Sequence, residues 1–252
     1  MTLTFGDRPV EAVLFDLDDV LVPFHTVRAW QWAWRPQGPL LGERRVAAAL
    51  RSRLRAWDRR RWQGLTGQAP PADLAALYEH LTATLHAIAG HPLPAEESQA
   101  VVRRFLHPAG EIERYSDAAG ALEMLRARDV RVGILTHLPP ETARWLLHRA
   151  GIPEELLLGT GEPSGPVVPE AKAFRAAVER LGAAASRSVF VGDLLWSDVR
   201  AAHRAGLLGI LLDRHDAWPH VLTDRTAALG SLEATLLAGP KTAEEKEGPA
   251  PA

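Results

Sequence analysis

Three times in the second half of this chain a helical stretch stops at a glycine a few residues short of an apolar run, and nothing else in the sequence constrains the fold as strongly. Residues 139–151 (PPETARWLLHRAG) predict a helix with proline at its start and Gly151 past its end. Residues 169–182 (PEAKAFRAAVERLG) repeat that arrangement and lead into SVFVGD, and residues 197–206 (SDVRAAHRAG) repeat it again ahead of LLGILLD. Before them, SDAAGALEMLRARD predicts a helix with Ser116 as N-cap and apolar positions at Ala121, Leu122 and Leu125, followed by the buried strand VRVGILT. A further short strand over residues 10–15 (VEAVLF) stands far upstream. Apolar runs alternating with helices predict βαβ units and an α/β parallel sheet covered on both faces. An all-helical chain with apolar linkers is the lesser alternative.

From Pro23 to His107 the texture differs. This stretch is rich in Trp, Arg, Ala and Leu at helical spacing, broken at RPQGP, GQAPPAD and GHPLP, and carries no strand signal. The expected organisation is a core from residues 1–22 and 110–238, a small all-helical domain over 23–109, and a disordered tail over 239–252 (GPKTAEEKEGPAPA). A hydrophobic fraction of 46% over 252 residues is enough for a sizeable core. A net charge of −2 gives no support to nucleic-acid binding, and the lack of cysteine excludes disulfides, thiolate metal sites and cysteine nucleophiles. No apolar run approaches the roughly 18 residues that span a bilayer. The stretch MTLTFGDRPVEA has no cationic segment followed by an apolar one, so a secretory signal is not expected. The default is a soluble cytoplasmic protein with no nucleic-acid or membrane partner.

Ligands of open α/β sheets bind beyond the carboxyl ends of the strands. After the first strand stand Asp16, Asp18 and Asp19; after VRVGIL come Thr136 and His137; after SVFVG come Asp193 and, five residues on, Asp198. Crowded carboxylates repel unless a cation shares the space, and hard oxygen ligands of this kind suit Mg²⁺. A carboxylate there can also serve as a nucleophile toward phosphorus, and a second one two residues on can act as acid and then as base. Asp198, near a helix start, reads equally well as an N-cap.

These residues carry a family resemblance. VLFDLDDVL resembles the first motif of the haloacid dehalogenase (HAD)-like superfamily, hydrophobic-D-x-D-x-[TV]-L. ILTH resembles its second motif, and VFVGDLLWSDVRAAHRAG its fourth, all in order across residues 10–215. The resemblance implies a Rossmann-like core with a helical cap inserted after the first motif. It also implies Asp16 as nucleophile and metal ligand, and Asp18 as acid/base with its carbonyl on Mg²⁺. Thr136 would bind phosphate, and Asp193, with Asp198, would hold the metal. Dehalogenases of the superfamily lack the second Asp, so the presence of Asp18 points to a phosphatase acting on a small phosphorylated metabolite.

One motif departs from the pattern. The family's third motif is a lysine just before a helix, and that position here is Val168, with Lys172 about one turn later. The chain holds 26 Arg and three Lys, and Lys172 is the only lysine before the tail. A phosphate-facing cation and a chance surface lysine are equally open readings of it. His137 stands where Asn is common, either touching phosphate or, more in keeping with a lone histidine, satisfied in a partly buried setting. The arginine-rich run over residues 43–64 reads as a solvated helix face. A phosphomutase of the same superfamily and a HAD-like binding module that has lost catalysis remain alternatives, and neither the substrate nor the oligomeric state is legible.

Overall fold

A computed structural model describes residues 3–23, 113–138, 140–160, 171–214 and 223–239, with isolated positions at 83, 94 and 96. Apart from Pro23 and those three positions, the expected helical domain over 23–109 lies outside the described residues, as does the tail beyond Gly239. The chain opens with a small antiparallel pair, β1 (Thr4–Phe5) and β2 (Arg8–Pro9). A six-stranded parallel sheet follows, formed by β3 (Ala12–Phe15), β4 (Arg131–Leu135), β5 (Leu157–Gly159), β6 (Ser188–Gly192), β7 (Leu208–Leu212) and β8 (Arg225–Thr226). Its order is β5-β4-β3-β6-β7-β8, and every pairing is parallel. The sequence expectation of a Rossmann-like α/β core is met.

The helices are α1 (Ser116–Arg126), α2 (Pro140–Ala150), α3 (Ala171–Arg180), α4 (Arg200–Ala205) and α5 (Leu232–Ala238). They cover both faces of the sheet, and the alternation along the strands explains how. Val13 and Phe15 of β3, with Val189 and Val191 of β6, pack with Leu122 and Leu125 of α1 and Leu146 and Leu147 of α2. Leu14 and Phe190 point the other way, onto Phe174 and Ala177 of α3 and Ala201 and Ala205 of α4. Phe174 and Phe190 meet edge-to-face with ring centroids 4.8 Å apart, a favourable aromatic geometry. Strands buried on both faces must read as continuous apolar runs, and these do.

Gly151, Gly182 and Gly206 adopt φ of 61°, 64° and 90°, left-handed ends that close α2, α3 and α4 and release the chain toward the next strand. The N-cap of α1 differs from expectation. Tyr115 holds that position, its amide donating to the Leu21 carbonyl at 2.9 Å, and Ser116 is the first helical residue. No described helix is long and apolar enough to cross a membrane.

Candidate active site

The central strand β3 is flanked by β4 on one side and β6 on the other, so its carboxyl end is the place where strand order reverses. Asp16 follows β3 there, its amide bonded to the Val191 carbonyl of β6 at 3.0 Å. Thr136 and His137 follow β4, and Asp193 follows β6. The carboxyl ends of three neighbouring strands thus carry these residues.

Beyond Asp16 the chain folds back on itself. The amides of Leu21 and Val22 donate to the Leu17 carbonyl at 3.0 and 2.9 Å, and Asp19 donates to the Val22 carbonyl at 2.8 Å. Asp19 sits at φ 56°, a left-handed conformation that Asp tolerates better than most residues. Asp16, Asp18 and Asp19 are all buried, with Asp18 bridged through its backbone to Val22.

Asp198 is wholly buried and joins the site by a different route. The segment Leu195–Val199 forms a single π-helical turn ahead of α4, a distortion frequent at functional sites. Its Oδ2 accepts the Leu194 amide at 3.0 Å and its Oδ1 faces His137 Nε2 at 2.5 Å. The carboxylate therefore binds an amide behind it rather than capping α4. His137 is 14% exposed, so its ring is partly buried with Nε2 turned to Asp198. A Cβ on Gly192 would lie 2.2 Å from Asp198 Oδ2 and 2.5 Å from its Cβ. Only glycine lets β6 pass that close, which gives the Gly-Asp pair at 192–193 a steric cause. Gly192→Ala should therefore cost stability of about 2–3 kcal/mol, as overpacking in a tight core does, and displace Asp198; an unchanged melting temperature would show that the carboxylate can move aside.

The ligand atoms of Asp16, His137 and Asp198 lie within 4.8 Å of one another. Burial dominates the Asp16 carboxyl and pushes it up to about 7, with the Asp198 charge adding to the rise. The His137 charge and hydrogen bonds from Thr136 and the Leu17 amide, at 2.7 Å from Oδ1, pull the other way without restoring the ordinary value. Two buried carboxylates facing each other call for more positive charge than one imidazole supplies, and oxygen donors of this kind fit a hard divalent cation. An acid raised from 3.8 to about 7 in the fold stabilises it fully at low pH and loses that contribution as pH rises through 7. The metal-free protein should melt at progressively lower temperature between about pH 4 and 7 from this group, and a flat profile across that window would remove the buried carboxyl as the cause.

The other residues singled out from sequence are spread around this group. Asp193 is half-buried at the end of β6 and is not one of the three converging donors. Lys172 is exposed in the first turn of α3, a helix that starts on the side toward which the strands run. The charges of His137 and Asp198 both bear on Asp16. The pairing of those two was invisible in sequence, since they are 61 residues apart on different strand ends.

A family model described as haloacid dehalogenase-like hydrolase matches residues 10–206. The chain is 28% identical over 217 residues to a ribulose-1,5-bisphosphate 5-phosphatase of Halopiger xanaduensis, covering 80% of this chain and 84% of the relative. Among solved structures, a HAD hydrolase of Bacillus subtilis bound to magnesium superposes with a TM-score of 0.65 at 18% identity, over 90% of this chain and 98% of that one. An L-2-haloacid dehalogenase of Xanthobacter autotrophicus superposes with a TM-score of 0.63 at 16% identity, over 89% and 97%. At those identities the two structures speak for the fold alone.

Proposed function

The chain belongs to the haloacid dehalogenase-like hydrolases, and from that premise we propose that it is a Mg²⁺-dependent phosphatase acting on a small phosphorylated metabolite through an aspartyl-phosphate. One observation carries the reading. Two buried carboxylates, Asp16 and Asp18, stand two residues apart where the central strand ends. A nucleophile alone would serve halide displacement; a phosphoryl transfer from a poor leaving group also needs a proton donor. The likeness to a sugar-bisphosphate phosphatase favours the same chemistry and makes sugar phosphates the first substrates to try.

In this mechanism the Asp16 carboxylate attacks phosphorus, and the P–O bond to the alcohol breaks as Asp18 gives its proton to the departing oxygen. Asp18, now a carboxylate, takes a proton from water as that water attacks the phosphorus of the aspartyl-phosphate. Inorganic phosphate leaves and both side chains return to their starting states. Thr136 and His137 are suited to hold phosphate oxygens from the neighbouring strand end, and Lys172, at the start of α3, is the candidate cation in place of the lysine missing at Val168. Asp16, Asp193 and Asp198, with the Asp18 carbonyl, would hold the metal, and His137 Nε2 lies close enough to serve as a further donor. Bound there, the cation supplies charge that keeps Asp16 ionised and lowers repulsion between carboxylate and phosphate.

Release of inorganic phosphate from a generic aryl phosphate in the presence of Mg²⁺, lost in EDTA and restored by added metal, is the expected result. Activity that persists undiminished in EDTA would overturn the metal dependence. Absence of phosphate release from both aryl and sugar phosphates would overturn the phosphatase reading itself.

A further inference from the structure

The loop that carries Asp16 and Asp18 is gripped from outside at Asp19, Val20 and Leu21. Arg214 follows Asp213 just beyond β7 and reaches across to the first turn of α1. Its Nη1 donates to Asp117 Oδ2 at 2.8 Å and its Nη2 to Asp117 Oδ1 at 2.9 Å, a two-pronged fork. The same Nη2 donates to the Val20 carbonyl at 3.0 Å. The guanidinium lies over the Tyr115 ring, 3.9 Å from its centroid, and the Tyr115 hydroxyl donates to Asp19 Oδ1 at 3.2 Å. The Leu229 amide donates to Asp117 Oδ2 at 2.9 Å, closing the cluster from a fourth segment. Burial would raise the Asp117 carboxyl, but the Arg214 hydrogen bonds and charge, with the amides of Leu229 and Gly230, outweigh it and hold it below the ordinary value.

The places where this cluster takes hold are specific. Asp19 is held through its side chain, Val20 through its carbonyl, and Leu21 through its carbonyl to the Tyr115 amide. All three lie within five residues of Asp16. Asp19 occupies a left-handed conformation, which a non-glycine residue keeps only when its surroundings over-determine it. By contrast, the Arg144–Glu154 pair has side chains 57% and 64% exposed on α2 and the turn that follows, and it holds no part of this loop.

We propose that Arg214 is a positioning residue: through Asp117, Tyr115 and the Val20 carbonyl it fixes the loop over residues 16–22, and with it the direction from which Asp18 meets the substrate. The kinetic consequence rests on the phosphatase reading; the grip on the loop does not. A lysine would keep the charge but lose both the fork and the flat stacking surface, so charge alone is insufficient.

The test uses the full chain with Arg214→Ala, Arg214→Lys and, as a control, Arg144→Ala. Hydrogen exchange is followed on the peptide that contains residues 17–22 and on strand β6, and aryl phosphate hydrolysis is measured with Mg²⁺. Both Arg214 variants are expected to exchange at least about tenfold faster over residues 17–22, with β6 unchanged and the control like the parent. They are expected to lose roughly 10²-fold in kcat with little change in KM, the size of effect that a misplacement of about 1 Å produces. Loop protection equal to the parent's, a uniform acceleration that includes β6, or an Arg214→Lys variant indistinguishable from the parent would each overturn the proposal. A loosened loop with full kcat would overturn the positioning role. If the parent hydrolyses no phosphate ester, the phosphatase reading falls, while the exchange result still decides whether Arg214 holds the loop.

Discussion

Asp16→Asn should abolish turnover of every phosphate ester while leaving the fold at least as stable as before. The amide is nearly the same size as the carboxylate, so the packing around a side chain only 2% exposed is kept. What it loses is the ability to form an acyl-phosphate, and removal of a covalent nucleophile costs on the order of 10⁴-fold or more in kcat. The stability half of the expectation separates chemistry from unfolding. In the metal-free protein Asp16 is penalised by burial, and its carboxyl ionises only near 7. Above that pH a neutral amide removes the penalty, so the variant should melt at or above the parent's temperature at pH 8 without metal. Added Mg²⁺ should then raise the parent's melting temperature more than the variant's. Retained turnover would move the nucleophile elsewhere, and a fall in melting temperature would mean that Asp16 is held chiefly by hydrogen bonds the amide cannot make.

The same crevice illustrates which parts of this molecule a sequence can reveal. The strands β3, β4, β6 and β7 each bury both faces, so their apolar runs were readable, and the residues just past them marked the crevice. Gly151, Gly182 and Gly206 were readable because a left-handed helix end favours glycine. The edge strands were not: Leu157–Gly159 and Arg225–Thr226 are three and two residues long, too short to carry a period. Nor were the contacts that couple distant segments. His137 meets Asp198 across 61 residues, and Arg214 meets Asp117 across 97. No local pattern announces such a pair, because it exists only once the sheet has set the strand order. The steric demand on Gly192 belongs to the same class, since it comes from a side chain that arrives through a π turn six residues later.

Asp18→Asn should lower kcat by about 10²-fold or more on alkyl phosphates, because it removes the group that protonates the leaving oxygen. The choice of leaving group turns this into a test of role. A nitrophenolate departs as an anion without help, so for an aryl phosphate the first step, attack by Asp16, should be nearly unimpaired. The second step still needs a base to deprotonate water, and the variant has none. An aryl phosphate should therefore release a stoichiometric burst of nitrophenolate and then turn over slowly, with phosphate trapped on Asp16. The burst would be absent if Asp18 served only to shape the loop, since a misplaced Asp16 would slow the first step for every ester alike. The structure makes that alternative concrete. Asp18 is buried, bridged through its backbone to Val22, and sits beside the strained Asp19 that Tyr115 holds. Loss of the burst together with faster hydrogen exchange over residues 17–22 would assign Asp18 to the loop's architecture. A burst with parent-like exchange would assign it to proton transfer.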